Sequence, residues 1–200
     1  SESSGSLLRK EFQLPENSFI FLMPARFDFV KGHDILLKAI SRLKEKPEIQ
    51  QALFILAGEG PEKGKIRKLA SELEVDHLIQ FLPHISPVKN LLVAGDALLI
   101  PSRWEAFPLI IPEAGFCKIP VIASHTYGIR RLIRHEENGL LFENENYRQL
   151  AAIISEILLG EHNLQQLAQK LYQESRQKFT LHKSMSELRK TYFRLTDGEN

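Results

Sequence analysis

The sequence predicts a doubly wound α/β domain, with a mainly parallel sheet of about six strands and helices on both faces. Three observations carry that expectation. Short apolar runs alternate with longer segments of helical periodicity. The apolar runs lack polar alternation, as strands buried on both faces do. The links between them are short, and strand–helix–strand order with short links means right-handed crossovers between parallel strands.

In chain order, the first apolar run is Phe19 to Met23, followed by a helix from about Gly32 to Lys44 with Ile35, Leu36, Ala39, Ile40 and Leu43 on one face. The second run, Leu53 to Ala57, closes on Gly58-Glu59-Gly60-Pro61, where Pro61 suits a helix start and Ile66, Leu69, Ala70 and Leu73 continue the period. Ile79 to Leu82 is the third run, ahead of a helical Val88 to Ala94. Ala97 to Ile100 is the fourth and ends at Pro101. Val121 to Ala123 is the fifth, and Leu140 to Phe142, after the turn Asn138-Gly139, is a weaker sixth. From Asn146 to Arg194 the pattern is almost entirely helical, with a break expected at Phe179-Thr180.

The opening Ser-Glu-Ser-Ser-Gly-Ser has neither a basic start nor an apolar stretch, so residues 1–14 read as a flexible linker or a cloning scar. The main domain is expected over 15–180, with a separate C-terminal helix over 181–200. At 200 residues and 43% hydrophobic content the chain can bury one ordinary core. Twenty-six basic against 25 acidic residues leave a net charge of +1, which gives no electrostatic case for nucleic acid. One cysteine, Cys117, excludes an internal disulfide framework and fits a reducing, cytoplasmic compartment. No apolar run approaches the ~18 residues that a membrane-spanning helix needs.

In an open α/β sheet, ligands sit beyond the carboxyl ends of the strands. That rule selects five loops: Pro24–Lys31, Gly58–Gly64, Leu82–Pro87, Pro101–Pro108 and Ser124–Gly128. Arg26 and Lys31 flank a helix start and suit a phosphate, although two solvated cations would give the same spacing. Glu105 in the fourth loop and Glu113, expected more than a turn into the next helix, could accept hydrogen bonds from sugar hydroxyls. An ordinary exposed helix residue is the plainer reading of Glu113, but its flanks Ile110, Ile111, Ala114 and Phe116 are apolar. Gly58-Glu59-Gly60 is not a dinucleotide fingerprint, because the next glycine, Gly64, comes one position late and the loop follows the second strand. The histidines show no metal-ligand spacing and read mostly as surface residues, with His84 and His125 in strand-end loops.

Taken together, these loops resemble the C-terminal domain of the retaining GT-B glycosyltransferases of family 4. The resemblance runs from about Ser18 to Thr196. It rests on Ala25-Arg26-Phe27 with Lys31-Gly32, on Leu56-Ala57-Gly58-Glu59-Gly60-Pro61, and on Pro101-Ser102 with Glu105-Ala106-Phe107-Pro108-Leu109. Glu105 and Glu113 reproduce the family's Glu-x7-Glu, and Pro120-Val121-Ile122-Ala123, Gly128 and Asn138-Gly139-Leu140-Leu141 complete the order. Any one motif is weak; all of them in order on the expected strand ends are specific. Ala25, Ala106, Pro108 and Arg131 depart from the pattern, and Pro108 deletes a backbone N–H from the loop.

The resemblance implies a nucleoside-diphosphate sugar as donor, of UDP, GDP or ADP type, and neither a metal nor a further cofactor. It implies that Arg26 and Lys31 bind the diphosphate and stabilise leaving-group charge, and that Glu105 sits beside the donor sugar, the three forming the catalytic set. Glu113 would hold ribose hydroxyls, Gly58 and Gly60 would shape the donor loop, and His84 and Ile85 would border the base. Backbone amides near Phe107 and Leu109 would meet sugar and phosphate. It further implies a partner domain outside this sequence that binds a glycan or glycolipid acceptor, with the last helix crossing to it and the parent enzyme peripheral to a membrane. The isolated domain is then expected to bind donor without transferring sugar. A stand-alone nucleotide-binding module and a GT-B sugar-nucleotide epimerase are the alternatives; Glu-x7-Glu with Pro101-Ser102 favours the transferase.

Overall fold

The computed structural model describes residues 4–179. Its elements are α1 (Ser4–Glu11), β1 (Phe19–Pro24), α2 (His33–Leu43), β2 (Ala52–Ala57), α3 (Lys63–Glu72), β3 (Ile79–Leu82) and α4 (Val88–Ala94). After these come β4 (Ala97–Ile100), α5 (Ile110–Cys117), β5 (Val121–Ser124), β6 (Leu140–Phe142), α6 (Tyr147–Leu158) and α7 (Leu164–Lys178). All six strands join one parallel sheet in the order β3-β2-β1-β4-β5-β6. The six apolar runs read from the sequence are these six strands.

Side chains alternate across the sheet. Phe21 and Met23 of β1 and Phe54 and Leu56 of β2 enter a core shared with α2, α3 and α6. Ile20 and Leu22, with Ile55 and Ala57, enter a second core shared with α4 and α5. Apart from Gln80 of the edge strand β3, the runs are therefore apolar on both faces, which is why they carry no polar alternation. Asn146 and Asn163 cap α6 and α7 by accepting hydrogen bonds from the Gln149 and Gln166 amides.

Four expectations need correction or delimiting. Residues 4–14 are not a linker: α1 is a helix, Leu14 is buried, and Leu8 and Phe12 pack on the second core. Arg9 donates to Ala94 O at 2.9 Å and pairs with Asp96 at 2.7 Å. Composition hid this helix because its anchor lies 87 residues away. The long helical stretch is broken near Gly160, which adopts φ 78° between α6 and α7, a break not read from the sequence. Glu113 lies in the first turn of α5, because an earlier start would place Pro112 in a helix interior, where it lacks the N–H the ladder needs. The helix expected over 181–200 lies outside the described residues.

The chain runs from β1 to β2 and β3 on one side and returns to β4 on the other. Loops leaving β1 and β4 therefore diverge, and a crevice opens at their carboxyl ends.

Candidate functional site

That crevice holds two contiguous cavities of about 380 and 410 Å³, which share Pro24, Ala25, Arg26 and Ile110. The first is lined by Lys31, Ser102, Glu105, Phe107 and Leu109. The second is lined by Gly58, Glu59, His84, Ile85 and Glu113. Nine of the ten residues expected at a donor site thus line one groove. Gly60 is the exception: a Cβ there would meet Phe27 O at 2.3 Å, so it serves backbone packing and lines neither cavity.

Two charged side chains from different loops meet in the first cavity. Lys31 Nζ donates to Glu105 Oε1 at 2.7 Å, and Ser102 Oγ donates to the same oxygen at 2.8 Å. Glu105 Oε2 has no protein partner among the described residues. Buried Ser124 at the end of β5 donates to Ser102 O, which fixes the loop from below. Arg26 is largely exposed and only loosely paired with Asp28, at 3.8 Å.

The loops carrying these groups are pressed together. Gly32 sits at φ 72°, and a Cβ there would lie 2.0 Å from Pro101 O, so the β4 end closes directly on the α2 start. Arg103, to which the sequence reading gave no role, forks onto Asp34 with two bonds of 2.8 Å. Burial alone would push the Asp34 carboxyl up; the hydrogen bonds from Arg103 and Lys38 outweigh it and hold the group at about 2. His33 is buried rather than on the surface, stacked on Phe27 at 4.2 Å. Desolvation lowers it to about 4, against smaller opposing effects of Asp28 and Asp34.

The second cavity has a different character. His84 and Glu113 are exposed and have no hydrogen-bond or ion-pair partner among the described residues. Partial desolvation in the groove raises the Glu113 carboxyl above its ordinary value. Gly58 is buried at φ 149°, and a Cβ would meet Ala25 O at 2.2 Å, so it lets the β2 loop lie against the β1 loop. Lys63 Nζ donates to Gly58 O at 2.9 Å and to Glu59 at 2.8 Å. His125 is exposed and lines neither cavity. Cys117 is half-buried, and burial pushes its thiol up. Among the described residues no cluster of three or more His, Cys, Asp or Glu could hold a metal ion, and no helix is long and apolar enough to cross a membrane.

A 3-2-1-4-5-6 parallel sheet with a cationic, carboxylate-bearing crevice at its switch point defines a doubly wound α/β domain of the Rossmann-like class. The model of the glycosyl transferases group 1 family matches residues 6–178, and the chain belongs to that family. It is 29% identical over 161 residues to the D-inositol 3-phosphate glycosyltransferase of Thermomonospora curvata, covering 74% of this chain and 37% of that protein. To the N-acetyl-alpha-D-glucosaminyl L-malate synthase of Bacillus anthracis it is 26% identical over 194 residues, 96% of this chain and 50% of that one. The chain therefore spans between about a third and a half of these relatives.

Among solved structures, Anabaena HepE in complex with UDP superposes with a TM-score of 0.86 at 25% identity, covering 96% of this chain and 53% of HepE. The C-terminal domain of the group 1 glycosyl transferase LpcC from Francisella tularensis superposes at 0.77 over 90% of this chain and 95% of that domain, at 21% identity. The fold is thus that of a GT-B C-terminal domain.

Proposed function

We propose that this chain is the donor-binding domain of a retaining glycosyltransferase that takes a nucleoside-diphosphate sugar, with UDP the favoured nucleotide. One observation carries the reading: Lys31 and Glu105, brought from two loops to 2.7 Å, share a cavity with Arg26 at the sheet's switch point. The UDP in HepE, and the UDP with glucose in a second HepE complex, support the choice of nucleotide and of a hexose.

Cleaving a glycosyl–diphosphate bond leaves negative charge on the diphosphate and develops positive charge on the sugar. In this reading Arg26 and Lys31 face the diphosphate, and the α5 N-terminus adds its positive dipole end from the cavity wall at Leu109 and Ile110. These groups act most strongly as charge develops, which lowers the barrier and not merely the dissociation constant. Glu105, with Oε2 free of protein partners among the described residues, receives the sugar, and the backbone near Phe107 and Leu109 meets its hydroxyls and the phosphate. Uridine occupies the second cavity, its ribose on Glu113 and its base against His84 and Ile85.

Phe29, Trp104, Phe107, Leu109 and Tyr127 are exposed on loops at this edge of the sheet. Such apolar surface is suited to contact, and the relatives are about twice the length of this chain. A second domain of a parent enzyme, holding a glycan or glycolipid acceptor, would close there; polysaccharide or glycolipid synthesis on the cytoplasmic side of a membrane follows as the setting. Transfer needs donor and acceptor held in one geometry, so this domain alone binds without turnover.

Calorimetric titration with UDP, GDP and ADP at millimolar concentration tests the reading. Heat of binding with UDP exceeding that with the other two is expected. No binding of any of them would overturn it.

A further inference from the structure

We propose that Arg103 is a positioning residue for the diphosphate site: it holds the turn that carries Lys31, and so sets where that ammonium meets the donor phosphates. The inference rests on the donor-site reading above and deepens it.

The turn in question is the short 3-10 stretch Phe29–Lys31, and it buries no side chain of its own. Phe29 is 59% and Val30 38% exposed. Hydrophobic packing, which fixes most of this fold, therefore does not fix the turn. Apart from the Lys31–Glu105 pair, the hydrogen bonds that reach it from outside, among the described residues, come from one residue. Arg103 Nη1 donates to Phe29 O at 2.7 Å, and the Arg103 backbone N–H donates to Val30 O at 2.8 Å. Its guanidinium lies 3.9 Å from the Phe29 ring centroid, within cation–π range. The same fork closes on both oxygens of Asp34, on the other side of Lys31 and Gly32. The stretch from Phe29 to Asp34 is thus held at both ends by one side chain, and Lys31 lies between the ends.

Arg103 is itself held. Its side chain is only 14% exposed, Glu145 pairs with Nε, and Asn144 Nδ2 donates to Arg103 O at 3.1 Å. Three strand-end loops, after β1, β4 and β6, meet on it. Glu105, the partner of Lys31, stands two positions further along the same loop. A lysine stem has four rotatable carbons, so its ammonium is placed by its backbone and its partner. Arg103 governs the first directly and the second through the loop. Lysine could not replace it, because a point charge cannot span both Asp34 oxygens while donating to Phe29 O.

The test is a double-mutant cycle read by calorimetry on this chain, with UDP and UMP as probes. Arg103→Met keeps the aliphatic stem and removes the fork. It should weaken UDP by about tenfold, the size of one charge-assisted hydrogen bond, and UMP by less than about twofold. In a Lys31→Ala background the same change should cost less than about twofold, because the group it positions is gone. Arg103→Lys should behave like Arg103→Met, and Asp34→Asn should reproduce part of the loss. Equal losses for UDP and UMP, full additivity with Lys31→Ala, or rescue by Arg103→Lys would each overturn the proposal. Should Arg103→Met lose its cooperative thermal transition, the Asp34→Asn and Lys31→Ala cycle decides by the same criterion. A wild-type chain that does not bind UDP defeats the donor-site reading and this proposal with it; a wild type that binds while Arg103→Met binds equally defeats only the proposal.

Discussion

The two halves of the groove are built on opposite plans. Between β1 and β4, Lys31 and Ser102 are bonded to Glu105, and Arg103 is bonded to Asp34. Between β2, β3 and α5, His84 and Glu113 stand without partners among the described residues. Diphosphate is the part of a donor on which charge changes during transfer. Groups that stabilise such a change work best when fixed beforehand, since they then cost no reorganisation. A nucleoside only has to be held, and open hydrogen-bonding groups suffice for that. On the donor-site reading, the difference teaches where this fold invests rigidity: at the reacting bond rather than at the handle.

The comparison is broken most severely by disturbing the backbone contact under the rigid half. Gly32→Ala places a Cβ 2.0 Å from Pro101 O at a left-handed φ. We expect a loss of about 4 kcal/mol in urea unfolding, from the strained backbone plus displacement of the β4 loop. Gly64→Ala, in α3, meets nothing within 4 Å and should gain about 0.5–1 kcal/mol from helix propensity. Equal effects at the two glycines would mean that the β1–β4 contact carries no special load.

Acid probes the same half by another route. His33 lies beneath it with both ring nitrogens unpartnered, among Asp28, Asp34 and Lys31, and its value falls from 6.5 to about 4. Above pH 6.5 both folded and unfolded states hold it neutral, so it has no effect on stability. As pH falls from 6.5 to 4, the unfolded chain takes up a proton that the folded chain refuses. Stability should drop over that window by about 3 kcal/mol in total, at 1.36 kcal/mol per unit. His33→Phe, which keeps a ring against Phe27, removes this contribution. The difference between the two chains in urea midpoint at pH 7 and pH 4.5 measures it, and parallel curves would refute it.

The sequence made the sheet legible because the strands are short, almost wholly apolar on both faces and bounded by glycine or proline. Lys31, Glu105 and Glu113 were legible because strand ends are where ligands bind in such sheets and their spacing repeats a family motif. Arg103 with Asp34 was not, since the partners are 69 residues apart and no local pattern announces a pair. A faint signal existed: Arg103 precedes Glu105 in the same loop, and Asp34 opens the helix after Lys31-Gly32. His33 escaped for a related reason. Its burial follows from Phe27 folding over it, and a polar residue at a helix start ordinarily reads as surface. Helix α1 was lost to composition, its polar first residues masking Leu8, Phe12 and Leu14.

Within the groove, Lys31→Ala should lower UDP affinity by about 10–100-fold, the range for a hydrogen bond to a charged group. Thermal stability should fall as well, because Glu105, whose side chain is only 12% exposed, keeps Ser102 but loses its cation. Titration of both chains with UDP and with UMP checks this. A loss as large for UMP as for UDP would place Lys31 away from the β-phosphate, and the rigid half would lose its assigned ligand.

The smallest effect belongs to the open half. Glu113 has no protein partner to lose among the described residues, so Glu113→Gln should leave folding unchanged and remove only what the carboxylate gives the ribose. Glutamine keeps one carbonyl acceptor and gives up the charge, so the cost should be about fivefold in UDP affinity, near 1 kcal/mol. A 2′,3′-dideoxynucleoside diphosphate offers no ribose hydroxyls, and for it the wild type and Glu113→Gln should bind alike. Acid should act on the same contact: the raised Glu113 carboxyl takes up its proton at a higher pH than an ordinary glutamate. Wild-type affinity for UDP should therefore fall toward that of Glu113→Gln as pH is lowered, while the variant is less affected. If Glu113→Gln weakens UDP and the dideoxy analogue equally, the carboxylate is not on the ribose. The open half would then recognise some other part of the donor.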